Sequence, residues 1–368
     1  MRVLRNPLRH KGFSPQAGLA EGRLIDDPSE PLNLLRLCPC AKPTPLLEIL
    51  GLAGALGVGM IYLKDERERM GLGNFKALGA AYVIARQAFS QVDDPDSPID
   101  HDQIKEILRG TVFACASAGN HGLSVAAGAR VFGAKAVVYL SHTVPEDFAE
   151  RLRCMGAEVV RAGNDYEASM AVAVADAERH KWILLSDSSW PGNVELPTRV
   201  MEGYLVMGAE IVDQISLPPQ YIFLQAGVGG MAAAMTILFR KRWGNEPVIV
   251  IVEPEAAPAL IDSICSGAPV KARGPHSTMG RLDCKEPSHL ALAELARHAD
   301  FFVTVTDEEC EATVRLLENH NVTTTPSAAA GVAALHHSGN CRDALGLTAQ
   351  ARVLAIITEK REGRHKDK

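Results

Sequence analysis

A regular alternation of strand-like and helix-like segments, beginning at residue 111, constrains the fold of this chain more than any other feature. Apolar runs of β-forming residues are followed, three times in succession, by segments whose apolar residues recur at helical spacing. The strand-like runs are 111–117, 135–141, 158–163 and 182–187, and the helical segments between them are 122–133, 145–156 and 166–180. Strands separated by helices form βαβ units, so the sequence predicts a parallel sheet in an α/β fold.

A second series of the same kind occupies the C-terminal half. Its strand-like runs are 221–227, 248–254 and 352–360, and its helical segments are 199–215, 229–243, 307–320 and 327–339. A polar stretch at 91–103 precedes the first series, and a further strand-like run at 60–66 lies before that stretch. The sequence therefore predicts two doubly wound lobes, a discontinuous large domain (1–80 and 190–368) and a small domain (81–189).

Charge and hydropathy exclude several classes of protein. Acidic residues outnumber basic ones by 44 to 38, a formal net charge of −6, which argues against a general nucleic-acid binder. No apolar run reaches the roughly 20 residues of a membrane-spanning helix, and the first residues lack the apolar stretch of a secretory signal. We therefore expect neither a membrane nor a nucleic acid as a partner.

The eight cysteines are scattered along the chain. Cys115 and Cys154 lie in apolar surroundings, where a buried thiol is expected. Cys38 and Cys40 form a pair, but no second pair follows at zinc-finger spacing. The sequence therefore predicts no metal site and a reducing, cytoplasmic location.

The strongest signal for an anion site is the segment Gln225–Ala232, called the glycine loop below, which follows a strand-like run and opens a helical one. Glycines let the backbone approach an anion, and a helix start offers free N–H groups with partial positive charge. The loop also matches the dinucleotide fingerprint, with Glu253 at the end of the next strand where a ribose-binding acid would lie. Phosphate binding is favoured, a nicotinamide-dependent oxidoreductase stays open, and a tight turn without ligand is the remaining alternative.

A lysine at a helix start gives a second signal. Gly73-Asn74-Phe75-Lys76 opens the helical segment that follows it. The positive end of the helix and any burial would favour the neutral amine, which a Schiff base with an aldehyde cofactor requires. A lone lysine in such a position is more often an ordinary solvated side chain.

A third signal is the segment Ser117–Gly122, between a strand-like run and a helix. Loops at the carboxyl ends of parallel strands are where ligands bind in such sheets. The Asn120 side chain and backbone N–H groups would face the same crevice, although the segment alone could simply cap the helix. His121 is expected to cap or pack in the loop rather than to react.

Together these motifs resemble one superfamily. Pro-Thr-Pro-Leu at 43–46, Phe75-Lys76, Ser117–Gly122 and the glycine loop occur in the order found in fold-type II pyridoxal-phosphate enzymes, such as threonine dehydratase, serine racemase and tryptophan synthase β. Within that group the chain is most similar to the diaminopropionate ammonia-lyase family. The segments that carry this likeness are 71–82, 187–193, 198–210, 225–232, 277–288 and 356–360.

The resemblance implies a fold and a cofactor. The two lobes would hold pyridoxal 5'-phosphate in the cleft between them. Lys76 would form the Schiff base with the cofactor and act on the substrate as acid and base, with Phe75 packed beside it. Asn120 would hydrogen-bond the phenolic oxygen, and Thr358 would meet the pyridine nitrogen. In the large domain, the phosphate would be held by the backbone N–H groups of Gly227, Val228, Gly229, Gly230 and Met231.

The resemblance also implies substrate contacts, and two positions depart from the family pattern. The substrate carboxylate would bind at Ser117, Ala118 and Gly119 of the small domain, and Asp187 would engage a distal amine, unless it only caps a turn. The family's Asp-Gly-Asn-His appears here as Ala118–His121, and that Asp is thought to be the base for the D-isomer. The family's Glu-Ser-Gly appears as Pro326–Ala328. We therefore expect an intact cofactor site with an altered substrate preference.

The implied activity is a pyridoxal-phosphate-dependent α,β-elimination. The expected substrate is L-2,3-diaminopropionate, giving pyruvate and ammonia. Dehydration of serine, threonine or another 3-hydroxy amino acid is the main alternative. A β-replacement synthase would use the same residues, whereas an oxidoreductase would leave Lys76 and Asn120 without a role. A homodimer is expected because members of the family are usually dimers.

Overall fold

A computed structural model describes residues 1–92 and 99–361. Residues 93–98 of the polar stretch at 91–103 lie outside the described residues. The strands are β1 (Val3–Arg5), β2 (Leu46–Glu48), β3 (Met60–Asp65), β4 (Val112–Ala116), β5 (Lys135–Leu140), β6 (Glu158–Arg161), β7 (Ile183–Leu184), β8 (Tyr221–Gln225), β9 (Val248–Pro254), β10 (Phe301–Val305) and β11 (Arg352–Ile357).

Helices cover much of the remaining described chain. The α-helices are α1 (Ser29–Leu35), α2 (Leu50–Ala55), α3 (Lys76–Phe89), α4 (His101–Ile107), α5 (Asn120–Val131), α6 (Glu146–Cys154), α7 (Tyr166–His180), α8 (Glu195–Gln214), α9 (Gly230–Trp243), α10 (Ala259–Ser266), α11 (His289–His298), α12 (Asp307–Glu318), α13 (Pro326–His336) and α14 (Arg342–Leu345). Short 3-10 helices lie at Pro15–Ala17, Glu66–Gly71 and Gly339–Cys341. Among residues 1–92 and 99–361 we find no helix with the length and apolar character needed to cross a membrane.

The strands form two sheets. The larger has seven strands in the order β1-β10-β9-β8-β11-β3-β2, parallel throughout except for its two edge strands, β1 and β2. The smaller has four parallel strands in the order β6-β5-β4-β7. The predicted α/β fold with parallel sheets is therefore confirmed.

The chain divides into two compact units. One comprises residues 1–26, 43–68 and 207–368 and contains the seven-stranded sheet; the other comprises 27–42 and 69–206 and contains the four-stranded sheet. Helix α3 belongs to the second unit, where it packs against α1 and α5. The division by function into 1–80 with 190–368 and 81–189 remains a prediction.

Each unit has its own apolar core. In the seven-stranded unit, buried side chains of the central strands, such as Phe223 and Val303, pack with the alanine-rich helix α13. In the other unit, Val137 and Tyr139 of β5 pack with Ala173 of α7. Parallel strands covered by helices are buried on both faces, which explains the almost continuous apolar runs of their sequences.

One prediction about a buried thiol is wrong. Cys115 is buried in β4, as expected, but Cys154 is exposed. Cys154 is the last residue of α6, a helix whose buried residues are Ala149 and Leu152. The neighbouring leucine therefore faces the core, whereas the cysteine lies on the solvent side of the helix.

Candidate active site

A tight loop places Lys76 at the first position of α3. The backbone N–H groups of Leu72 and Gly73 both donate to the carbonyl of Arg69, at 3.0 and 3.1 Å. Gly73 has a φ of +79°, a conformation that glycine adopts without steric cost. The Lys76 N–H then donates to Asn74 Oδ1 at 3.1 Å. The sequence between residues 69 and 76 thus folds back on itself and fixes where the lysine leaves the loop.

Phe75 anchors the same loop against α8. Its ring meets the ring of Tyr204 edge-on, with centroids 5.0 Å apart and planes at 64°. The two helices approach closely at Gly79, where an added Cβ would lie 2.8 Å from the carbonyl oxygen of Val200. Because the helix contact leaves no room for a side chain at Gly79, the start of α3 is held firmly beside α8.

The Lys76 amine forms an ion pair with Asp187, which lies just after β7. The contact joins Lys76 Nζ to Asp187 Oδ2, and the two side chains are 21% and 17% exposed. Burial acts to raise the pKa of Asp187, but the charge of Lys76 and its hydrogen bond hold that pKa well below its ordinary value, and a protonated His121 would act in the same direction. Asp187 is therefore an ionised carboxylate that already binds a primary amine.

Three further side chains surround this carboxylate. His121 is 3% exposed, and its Nε2 lies 2.8 Å from the carbonyl oxygen of Leu185. Burial lowers the pKa of His121, the Asp187 charge raises it and the Lys76 charge lowers it further. Burial and then the Asp187 charge raise the pKa of Tyr204 and of Cys115, so both stay neutral. Sequence reasoning missed Tyr204, an aromatic residue in an apolar helix that nothing marks as different.

Of the segment Ser117–Gly122, predicted to lie between a strand and a helix, 117–119 lie between β4 and α5, and 120–122 already form the start of α5. The Gly119 N–H donates to Ser117 Oγ at 3.3 Å, and α5 begins at Asn120 without a side-chain cap. Asn120 is 7% exposed. Ser124 Oγ donates to the Asn120 carbonyl at 2.6 Å and lies 3.4 Å from Asn74 Oδ1, in the lysine loop. The structure therefore brings the start of α5 close to the start of α3.

The glycine loop follows β8 in the seven-stranded unit and opens α9. Gly229 has a φ of +99°, and the 14-residue helix after it has no side-chain cap. Gly227 is enclosed, since an added Cβ would lie 2.9 Å from Cys284 Sγ and 3.2 Å from the Arg281 carbonyl oxygen. The Ser288 N–H holds the loop by donating to the Val228 carbonyl at 3.0 Å. Helix α9 therefore begins at Gly230 without a side-chain cap, and the first N–H groups of such a helix are of the kind that binds anions.

Thr358 lies in the same unit, directly after β11, and is 6% exposed. Gln225 Nε2 is 2.8 Å from the Ile356 carbonyl and 3.4 Å from Thr358 Oγ1, so its side chain ties the end of β8 to the end of β11. Sequence reasoning assigned Gln225 no role of its own. The sequence contained a signal for it, since Gln225 is a polar amide at the end of the otherwise apolar run of β8.

The structure contradicts the ribose-binding role considered for Glu253. This residue is fully buried, and its carboxyl oxygens accept from the N–H groups of Leu260 at 2.7 Å and Ile261 at 2.8 Å. Burial raises the pKa of Glu253 to about 8. The side chain caps the start of α10, and both of its oxygens are occupied there. The dinucleotide interpretation of the glycine loop therefore loses the acidic residue that would bind the ribose.

Each unit contains groups of the kinds that bind pyridoxal phosphate. The four-stranded unit has a primary amine at Lys76 and a nearly buried amide at Asn120, and the seven-stranded unit has a hydroxyl at Thr358 and an uncapped helix start at the glycine loop. Across residues 1–92 and 99–361, no three His, Cys, Asp or Glu side chains gather where they could hold a metal ion.

Comparison with known proteins gives the family. Residues 37–359 match the family model of pyridoxal-phosphate-dependent enzymes. The chain is 33% identical to diaminopropionate ammonia-lyase of Salmonella typhimurium, over 90% of this chain and 88% of that protein. It is 27% identical to L-threonine ammonia-lyase of Thermotoga maritima, over 82% and 67%.

A solved structure agrees with these matches. It is diaminopropionate ammonia-lyase of Escherichia coli in complex with an aminoacrylate–pyridoxal-phosphate azomethine reaction intermediate. It superposes with a TM-score of 0.85 at 27% identity, covering 98% of this chain and 93% of that one. The chain belongs to the family of pyridoxal-phosphate-dependent enzymes and, within it, to the diaminopropionate ammonia-lyases.

Proposed function

We propose that this chain eliminates ammonia from L-2,3-diaminopropionate and so forms pyruvate and a second ammonia after hydrolysis. Membership of the ammonia-lyase family makes it a carbon–nitrogen lyase with pyridoxal phosphate as cofactor. The observation that carries the choice of substrate is the ionised, half-buried Asp187 with a primary amine bound to it. A lysine side chain and a β-ammonium group offer the same three donors to a carboxylate.

Lys76 is proposed as the residue that moves the proton. The cofactor, when bound, supplies an electron sink that stabilises negative charge at the substrate Cα. The Lys76 amine would take the proton from Cα. The Arg69 carbonyl and the Asn74 side chain hold its loop by hydrogen bonds, so only the side chain of Lys76 has to move when the amine changes partner. Thr358 and the glycine loop are proposed as holders of the pyridine nitrogen and the phosphate.

Asp187 is proposed to hold the leaving group in its charged form. A β-ammonium group departs as neutral ammonia when the C–N bond breaks, so it needs no proton from the enzyme. A β-hydroxyl would need one, and Asp187 has none to give, because a neighbouring positive charge, that of Lys76 in this structure, keeps its pKa below the ordinary value even though burial acts the other way. This difference favours ammonia elimination over dehydration.

Substrate binding, domain roles and assembly complete the proposal. Ser117, Ala118 and Gly119 are proposed to bind the substrate carboxylate, and the alanine leaves no carboxylate there to serve a D-isomer. The functional division into domains 1–80 with 190–368 and 81–189 belongs to the same proposal. A homodimer in the cytoplasm is proposed as well. All eight cysteines are free, as in proteins of a reducing compartment.

The test compares two substrates in three proteins. Asp187→Asn keeps the shape of the side chain but removes its charge, and should lower kcat/KM for L-2,3-diaminopropionate by about 100-fold, the loss expected of a charged hydrogen bond. Turnover of L-serine should change much less, since its β-hydroxyl carries no charge. Asp176→Asn is the matched control, because Asp176 is 24% exposed and bonds to Tyr139.

The dehydratase alternative predicts a different pattern. Ala118 gives the loop a serine/threonine dehydratase-like sequence, and the Thermotoga relative is named for threonine. If L-serine or L-threonine were the better substrate of the unmodified protein, or if Asp187→Asn lowered both activities equally, elimination of ammonia would not be its main reaction.

A further inference from the structure

His121 has a buried acceptor that the reaction described so far does not use. Its Nε2 faces the Leu185 carbonyl at 2.8 Å, and a carbonyl only accepts, so Nε2 carries the hydrogen. In the neutral ring Nδ1 is then an acceptor. It is buried, and within the described part of the chain no group hydrogen-bonds to it. An acceptor left without a donor in a buried site costs free energy, unless another state of the protein uses it.

The charges around His121 identify that state. Two charged groups act on the ring, Asp187 and Lys76, and they act in opposite directions. Among the described residues, Tyr204 and Cys115 are also titratable groups on which the Asp187 charge acts, and both are neutral because burial raises the pKa of each. While the ion pair is intact, Lys76 supplies the positive charge that Asp187 needs. Once Lys76 is bonded elsewhere, His121 is the neighbour that can replace it.

We propose that His121 is a positioning residue that takes up a proton at Nδ1 and pairs electrostatically with Asp187 whenever the Lys76 amine leaves that carboxylate. The proton comes from solvent and returns to solvent when another ammonium group reaches Asp187. The protonated Nδ1 then has Asp187 as its charge partner. Asp187 therefore stays ionised and in place between the departure of one amine and the arrival of the next.

This device has a consequence for substrate binding, which rests on the function proposed above. A β-ammonium group and the His121 proton would compete for the same carboxylate. Below the titration midpoint of His121, KM for diaminopropionate should rise as pH falls, by up to about tenfold for each pH unit. An uncharged β-hydroxyl does not displace the proton, so KM for L-serine should not show this rise.

The first experiment measures the protonation state of the His121 ring directly and does not depend on catalysis. The full chain has 12 histidines, and the ring of His121 is assigned by nitrogen NMR as the signal missing from His121→Gln. In the cofactor-free protein we expect a neutral ring with hydrogen on Nε2 at neutral pH. Lys76→Met should shift the His121 titration upward, and adding Asp187→Asn should reverse the shift. An unchanged titration in Lys76→Met, or hydrogen on Nδ1 in the unmodified protein, would overturn the proposal.

The second experiment separates positioning from structure. Glutamine at position 121 can still donate to the Leu185 carbonyl but cannot take up a proton, so His121→Gln should abolish the pH dependence of KM for diaminopropionate and leave the fold intact. His101→Gln is the matched control, since His101 Nε2 also meets a backbone carbonyl, that of Val131, at 3.0 Å. An undiminished pH dependence in folded His121→Gln would contradict the proposal. Failure of diaminopropionate turnover with the NMR result intact would count against the proposed function alone.

Discussion

At the scale of single residues, the chemistry of this site depends on which groups keep their charge. Asp187 is ionised because the charge and the hydrogen bond of Lys76 outweigh the effect of burial on its pKa. Tyr204 and Cys115 stay neutral because burial raises the pKa of each. The carboxylate is therefore the one anion in this cluster of side chains, which suits it to bind an ammonium group and not to deliver a proton.

Ala118→Asp tests the stereochemical preference. A carboxylate at this position would restore the base that the family is thought to use for the D-isomer. Turnover of D-2,3-diaminopropionate should rise by about 100-fold or more, the usual contribution of a general base. The rates with both isomers would be measured by pyruvate release. Ala118→Asn has nearly the same shape without the base, so an equal gain in that variant would contradict the assignment.

The sequence predicted these residues but not their contacts. Lys76 and Asp187 were identified separately by motif, yet 111 positions separate them, and no local pattern shows that their side chains meet. His121 was expected to cap or pack in its loop, and its bond to Leu185 agrees with that. The carbonyl that His121 meets lies directly after β7, and the apolar run 182–187 did not show where that strand ends.

At the scale of elements, helices and strands with a clear sequence pattern had predictable boundaries, and those with a weak pattern did not. Helix α7 and strand β9 occupy the residues predicted for them, since one has clear helical spacing with Asp165 as N-cap and the other a continuous apolar run. Strand β7 was predicted over 182–187 but comprises only Ile183–Leu184, and the carbonyl of the next residue, Leu185, meets His121 Nε2. The three-residue edge strands β1 and β2 were not predicted, as their pairing partners are distant in sequence.

Gly229→Ala tests the glycine loop as a preformed element. A φ of +99° would strain an alanine by about 1–2 kcal/mol, so the variant should lose thermal stability and bind pyridoxal phosphate more weakly. Gly244→Ala is the control at the other end of α9, where φ is +62° and no atom lies within 4 Å of an added Cβ. Both melting temperatures should fall, but cofactor titration should show weaker binding only in Gly229→Ala. Equal cofactor affinity in the two variants would contradict the role of the loop.

Glu253→Gln tests the buried cap of α10. Burial raises the pKa of Glu253 to about 8 from an ordinary 4.5, so between these values the folded chain holds a proton that the unfolded chain has released. The contribution of this group to stability is therefore present at low pH and declines as pH rises through that window. Melting temperatures measured across the window should fall less steeply in Glu253→Gln than in the unmodified protein. Identical slopes would show that the carboxyl is ionised in the folded state.

At the scale of the whole molecule, each compact unit contains some of the residues that are proposed to bind the cofactor. The four-stranded unit contains Lys76 and Asn120, and the seven-stranded unit contains the glycine loop and Thr358. Each group occupies the start of a helix or the end of a parallel strand, the places where α/β proteins bind ligands. Only the intact chain carries the whole set of donors, and the central claim has to be tested there.

The most direct measurement is the visible absorption spectrum of the purified protein with pyridoxal phosphate, before and after L-2,3-diaminopropionate is added, with pyruvate assayed in the same sample. We predict a yellow band that Lys76→Ala lacks and that Lys105→Ala, which removes an exposed lysine of α4, retains. Pyruvate should appear with the band and be absent without it. A protein that stays colourless with added cofactor, or a Lys76→Ala variant that still releases pyruvate at the full rate, would contradict the account.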